Sequence, residues 1–168
     1  EREGQRDDAA LAVDELVESL LERLEVLGVA DDTLLVFTSD NGMGWGEHRW
    51  QSKACPWEEC LRVPLLIRYP RLAPLPRSEE ALALNIDLAS TFPELARVPA
   101  PAGRDGAGLV RAIDGALRSP RGDILIESYS GAVRTYVGLR DRQWKYIEYA
   151  SGESELYVLS LSLPLGTV

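Results

Sequence analysis

The stretch TLLVFTSDNG, residues 33–42, decides the fold class. TLLVF is a continuous apolar and β-branched run of strand length, and it passes without a spacer into Asp40, Asn41 and Gly42. Such a run fits a strand buried on both faces, as in a parallel sheet. Upstream, Leu11, Val13, Leu16, Val17, Leu20, Leu21, Leu24 and Leu27 recur at helical spacing over residues 7–27, and Gly28 stands where a helix stops. Helix, short loop and buried strand together read as an α/β fold.

Downstream, VPLLIRYP (63–70) is a second short apolar run closed by proline. The pattern NIDLASTFPELA (85–96) predicts a helix beginning near Ser90 or Thr91 with Pro93 in its first turn, and residues 109–117 predict another. The last third differs. ILIESYS, AVRTYVGLR, QWKYIEYA and ELYVL are short aromatic and β-branched runs split by Gly, Ser and Asp, which is the signature of an antiparallel meander. The composition shift near Pro120 divides the chain into 1–119, an α/β segment, and 120–168, a small antiparallel subdomain.

The 168 residues are 45% hydrophobic and 27% charged, enough for a real core. A net charge of −9 argues against a nucleic-acid partner. It leaves a small anionic substrate open, because a local cation reverses the sign inside one pocket. No apolar run approaches the ~20 residues that span a bilayer. The first residues, EREGQRDD, lack an initiator Met, so the start is expected upstream and the compartment is left unassigned. Cys55 and Cys60 are too few for a disulfide framework or a zinc site and are expected to be two free, partly buried thiols.

Between Thr38 and Lys53 the chain places its only histidine, His48, and one of its two lysines beside Asp40 and Asn41. In open α/β sheets ligands bind at the carboxyl ends of strands, where Asp40 and Asn41 fall. A carboxylate beside a carboxamide suits a hard divalent cation such as calcium or magnesium. Gly42, Gly44 and Gly46 let the backbone turn sharply away. Asp-Asn-Gly is also a common turn signal, and the spacing alone leaves both readings open. Lys53 is placed to grip an oxyanion as a point charge. His48 reads as a proton donor, a supporting partner or a surface residue.

DDTLLVFTSDNGMGWGEHRWQSKACPWEECLRVPLLIRYP resembles the sulfatase family of the alkaline-phosphatase superfamily. NIDLASTFPELARVPAPAGRDGAGL and GLRDRQWKYIEYASGESELYVL continue the likeness, so it runs along essentially the whole chain. The resemblance implies part of an alkaline-phosphatase-like sheet flanked by helices, followed by the small antiparallel sheet. It implies that Asp40 and Asn41 are calcium ligands, magnesium being the alternative, and that Lys53 contacts the sulfate and serves catalysis. His48 matches a frequent family position. Glu58, Glu59 and Arg62 are expected to brace the loop against the next strand, and Trp45, Trp50 and Trp57 either to line a pocket or to pack beneath the loop.

The family's nucleophile is a formylglycine made from Cys/Ser-x-Pro-x-Arg, and no such motif occurs in residues 1–168. CLRVP carries the same letters with Arg and Pro exchanged, and CPWEE has Pro and Arg in neither required place. The chain therefore reads as the C-terminal part of a sulfatase, inactive by itself, whose substrate is a small-molecule or carbohydrate sulfate ester. The rival enzyme reading is a phosphodiesterase or phosphonate monoester hydrolase of the same superfamily, which usually carries Asp-His where this chain has Asp40-Asn41. A non-catalytic binding domain is the rival of another class. Val158 in place of the family's Asp, and Ser90 in place of its Pro, depart from the pattern, and the tail after Tyr157 reads as divergent.

Overall fold

The computed structural model describes residues 2–116 and 119–159. Two compact units emerge, one formed by residues 1–37 and 66–76 and the other by residues 38–65 and 77–168.

In the first unit, helix α1 (Arg2–Val26) runs through the predicted apolar repeat. Gly28 ends it at φ +68°, with its N–H on Glu25 O (2.9 Å) and the next N–H, of Val29, on Leu24 O (3.0 Å). That pair of bonds satisfies carbonyls which the helix end would otherwise leave open, and it requires a left-handed residue that glycine supplies without a Cβ clash. The apolar stripe of α1 is not covered: Leu11 and Leu16 stay about three-fifths exposed (60% and 58%). Strands β1 (Leu35–Thr38) and β2 (Leu65–Arg68) pair as a two-stranded sheet. The expectation that β1 is buried on both faces does not hold within this chain. Phe37 and Leu66 are exposed and the rest of β1 is only half-buried, and among the described residues β2 is the sole strand paired with β1.

In the second unit, β3 (Ile124–Ser130), β4 (Val133–Arg140), β5 (Trp144–Tyr149) and β6 (Ser154–Val158) form an antiparallel sheet in chain order, the meander that the sequence pattern predicts. Along β5, exposed Trp144 and Tyr146 alternate with buried Lys145 and Ile147, the period of two that a one-sided sheet imposes. Ile126, Tyr136 and Ile147 make the core, and Leu61 from α2 (Glu58–Leu61) packs against them. Gly138 lets the strands close over this core, since a Cβ there would stand 2.5 Å from Ile147 Cδ1. β6 extends one residue past Tyr157, and residues 160–168 lie outside those described.

Two helices differ from expectation. α3 (Leu88–Ala96) begins earlier than Ser90, after a 3-10 turn at Asn85–Asp87, and holds Pro93 in its interior. Asp87 sets this start: its carboxylate accepts the N–H of Leu84 (2.7 Å) and nucleates the turn ahead of the helix. α4 (Val110–Ile113) is one turn, shorter than the expected 109–117, because Gly115 adopts φ +79° and breaks the run; Leu117 lies outside the described residues.

Candidate functional site

Asp40 and Asn41 leave the end of β1 as the sequence predicts, and three sets of bonds hold them there. Asn85 Nδ2 donates to Ser39 O (3.0 Å) and Asp40 O (3.1 Å), so the start of the 3-10 turn fixes the strand exit. Asp40 Oδ1 accepts the Asn41 N–H at 2.8 Å. Asn41 Nδ2 donates to Gly42 O at 2.8 Å, which commits its amide nitrogen and leaves its oxygen without a bond of its own. Asp40 Oδ2 and Asn41 Oδ1 have no hydrogen-bond partner among the described residues. Two residues earlier, the hydroxyl of Thr38 is buried and unpartnered. Two unpartnered hard oxygens on adjacent residues fit part of a calcium or magnesium coordination set; calcium takes about six to eight such ligands. Among the described residues no group of three or more His, Cys, Asp and Glu side chains completes one.

The backbone after Asn41 folds onto the segment that carries Lys53. The Gly42 N–H donates to Cys60 O (2.8 Å) and the Gly44 N–H to Ser52 O (3.0 Å). Glycine is required at position 42 by this approach, because a Cβ there would stand 2.0 Å from Glu59 O. Gly42→Ala should therefore push the two segments apart and lower the thermal midpoint by several degrees, as a clash with backbone costs about 1–3 kcal/mol; a melting curve unchanged from the parent would remove the close approach. Lys53 follows Ser52 and is exposed; its carbonyl accepts Trp50 Nε1–H at 3.1 Å, and its ammonium forms no ion pair among the described residues.

The intervening loop is strained. His48, Arg49 and Ala54 all take positive φ (50°, 57° and 59°), a region that non-glycine residues seldom occupy. The His48 ring stacks on Trp57 with centroids 4.4 Å apart and planes 9° from parallel, and its Nε2 lies 3.9 Å from Glu59 Oε2. Trp50 meets Trp57 edge-on at 6.4 Å. Of the three loop tryptophans, Trp57 is the one packed beneath the loop, while Trp45 and Trp50 stay open at the surface.

Cys55 and Cys60 are not free thiols. They form a disulfide with Cα atoms 5.5 Å apart, and both are buried. The residues between them turn into α2, which brings the two Cα atoms within bonding range; two cysteines suffice for one local bridge even where they cannot frame a domain. Glu58 does brace this loop, but against the C-terminal sheet rather than β2. Its carboxylate accepts Lys145 Nζ (3.1 Å) and Arg140 Nη2 (3.1 Å). Burial pushes Glu58 toward the neutral form, and the hydrogen bonds and charges of Arg140 and Lys145 more than offset it, leaving its pKa below the usual carboxylate value.

Residues 46–162 match the family described as N-sulphoglucosamine sulphohydrolase, C-terminal. The chain belongs to this sulfatase family. It is 35% identical over 156 residues to an N-acetylglucosamine-6-O-sulfatase of Bacteroides thetaiotaomicron, covering 88% of this chain and 28% of that one. It superposes on the structure of BT4656 in complex with its substrate D-glucosamine-2-N,6-O-disulfate with a TM-score of 0.82, at 34% identity, over 90% of this chain and 32% of that one. A phosphonate monoester hydrolase of Agrobacterium radiobacter is similar at TM-score 0.77 and 25% identity, over 88% of this chain and 33% of that one. The fold is thus the alkaline-phosphatase-like α/β fold, and the chain is the C-terminal portion of a sulfatase spanning about three tenths of the length of these relatives.

Proposed function

We propose that the chain forms the downstream wall of the active site of a sulfuric ester hydrolase acting on a sulfated amino sugar. The observation that carries this reading is the pair of unpartnered oxygens on Asp40 and Asn41 at the strand exit. The loop bonded back at Gly42 and Gly44 carries Lys53, whose ammonium is unpaired. The choice of substrate class is supported by the sulfated-glucosamine chemistry of the two relatives at 34–35% identity.

In this reading Asp40 and Asn41 would hold calcium, or magnesium, through their side-chain oxygens as part of a larger ligand set. When bound, the cation neutralises charge on the sulfate oxygens. Lys53 sets its ammonium against the sulfate and favours the charge that builds as the S–O bond breaks. His48 sits on the same loop and holds a proton for the departing sugar oxygen. The nucleophile is assigned to a formylglycine outside residues 1–168, since none of these residues offers the modification motif. Asn41, where a phosphonate monoester hydrolase would carry histidine, favours sulfate over phosphonate esters.

The test uses the full-length protein with 6-O-sulfated N-acetylglucosamine and a phosphonate monoester as alternative substrates, and measures bound metal directly. Sulfate release in excess of phosphonate hydrolysis is expected. Asp40→Ala should come off the column without calcium; calcium content equal to the parent's would end the ligand assignment.

A further inference from the structure

His48 is connected to the C-terminal sheet through one side chain, Trp57. The indole lies flat against the His48 imidazole at 4.4 Å. Its Nε1–H donates to Tyr157 Oη on β6 at 3.0 Å. The Tyr157 hydroxyl donates in turn to Glu155 Oε2 at 2.7 Å, and Tyr149 on β5 donates to the same oxygen at 2.7 Å.

The direction of this chain is fixed by donor and acceptor inventory. An indole N–H only donates and a carboxylate only accepts, so the single proton of Tyr157 must point to Glu155 and its lone pair to Trp57. Glu155 is held ionised: burial pushes its pKa up, but the hydroxyls of Tyr149 and Tyr157 more than offset this and leave it lowered. Trp57 is also restrained along the backbone, because it lies inside the segment closed by the Cys55–Cys60 disulfide and opens α2. His48 has no such restraint of its own. Its backbone is left-handed, its side chain is 41% exposed, and the carboxylates that face it act on it without a hydrogen bond: Glu59 Oε2 lies 3.9 Å from its Nε2, and Glu155 acts on it through charge alone. The indole face is therefore what selects the orientation of the imidazole.

We infer that Trp57, fixed by Tyr157 and Glu155, is a positioning residue that sets the orientation of His48, so that the C-terminal sheet takes part in the reaction through the loop. This rests on the role proposed above for His48. Stacking on a rigid indole costs the imidazole its rotamer freedom before substrate arrives, which is how a supporting shell improves a site without touching the substrate.

The experiment is a double-mutant cycle in the full-length protein, with 4-nitrophenyl sulfate as substrate and kcat and KM measured separately. Tyr157→Phe removes only the hydroxyl that holds Trp57, and Trp57→Phe keeps a ring beneath His48 but removes the N–H, so neither needs to unfold the sheet. Each should lower kcat about fivefold, the worth of one hydrogen bond, with little change in KM. In a His48→Ala background neither substitution should lower kcat further, because the two sites act as one unit. Equal losses in both backgrounds would reduce Trp57 to packing, and undiminished kcat in Tyr157→Phe and Trp57→Phe would remove the connection. A His48→Ala variant with parental kcat would overturn the inference together with the His48 role, while leaving the sulfatase reading to be judged by Lys53.

Discussion

Lys53→Ala in the full-length protein is expected to lower kcat for a sulfate ester by about two to three orders of magnitude, the loss seen when one preorganised oxyanion contact is removed. The size follows from charge rather than from packing. The chain has two lysines, and Lys145 is sequestered at 2% exposure against Glu58. Lys53 alone offers an unpaired ammonium near Asp40 and Asn41 along the chain, on a segment tied back by the Gly44 bond to Ser52. The desolvation of a closed active site makes such a point charge worth several times its value in water. Since the benefit arises as charge develops on the sulfate, kcat and kcat/KM should fall together. Lys53→Arg keeps the charge but spreads it over a planar fork and should recover part of the rate. Stability should stay within about 0.5 kcal/mol of the parent, because an exposed unpaired side chain supports nothing in the fold. Activity within a few-fold of the parent would remove Lys53 from the site.

How far the sequence carried this picture depended on whether a feature was local. The β3–β6 meander was legible because each strand's alternation and each Gly or Ser break lie within a few residues, and the four strands emerge in chain order. The α1 stop was legible because Gly28 is a local signal. The placement of Asp40 and Asn41 at the end of β1 was legible for the same reason. What escaped were contacts between residues distant in sequence. Nothing around Trp57 announces Tyr157 a hundred residues later, and nothing around Asp87 announces the buried ion pair it forms with Arg121. The disulfide is hidden in the sequence for a different reason. Counting cysteines against a framework ignores that one turn of helix between Cys55 and Cys60 already brings them together. Pro93 reads in the sequence as a helix-start signal, whereas the carboxylate of Asp87 organises the start of α3 and Pro93 is tolerated inside it.

Glu58→Ala should destabilise the protein by about 3–5 kcal/mol, the cost of leaving a buried charge without its partner. Lys145 is fully enclosed; Glu58 Oε1 accepts its Nζ at 3.1 Å, and the Tyr157 ring, 5.1 Å away, is no substitute for a carboxylate. Arg140, half-buried beside it, loses the same partner. If the loss reflects an orphaned ammonium and not the missing carboxylate as such, then Glu58→Gln with Lys145→Met should regain most of it, because neutral groups of similar volume often replace a buried pair at little cost. Denaturant melts of the single and double variants measure this, and a double variant as unstable as Glu58→Ala would refute the orphaned-charge account. The pair also sets a pH dependence. The folded pKa of Glu58 lies below 4.5, so the unfolded chain binds this proton first as pH falls. The stabilisation is fully present above about 4.5 and is lost as pH drops through the folded value. The parent's thermal midpoint should therefore fall more steeply on acidification than that of Glu58→Gln, which has no carboxylate to protonate; parallel acid profiles would show that the pair contributes nothing to the pH dependence.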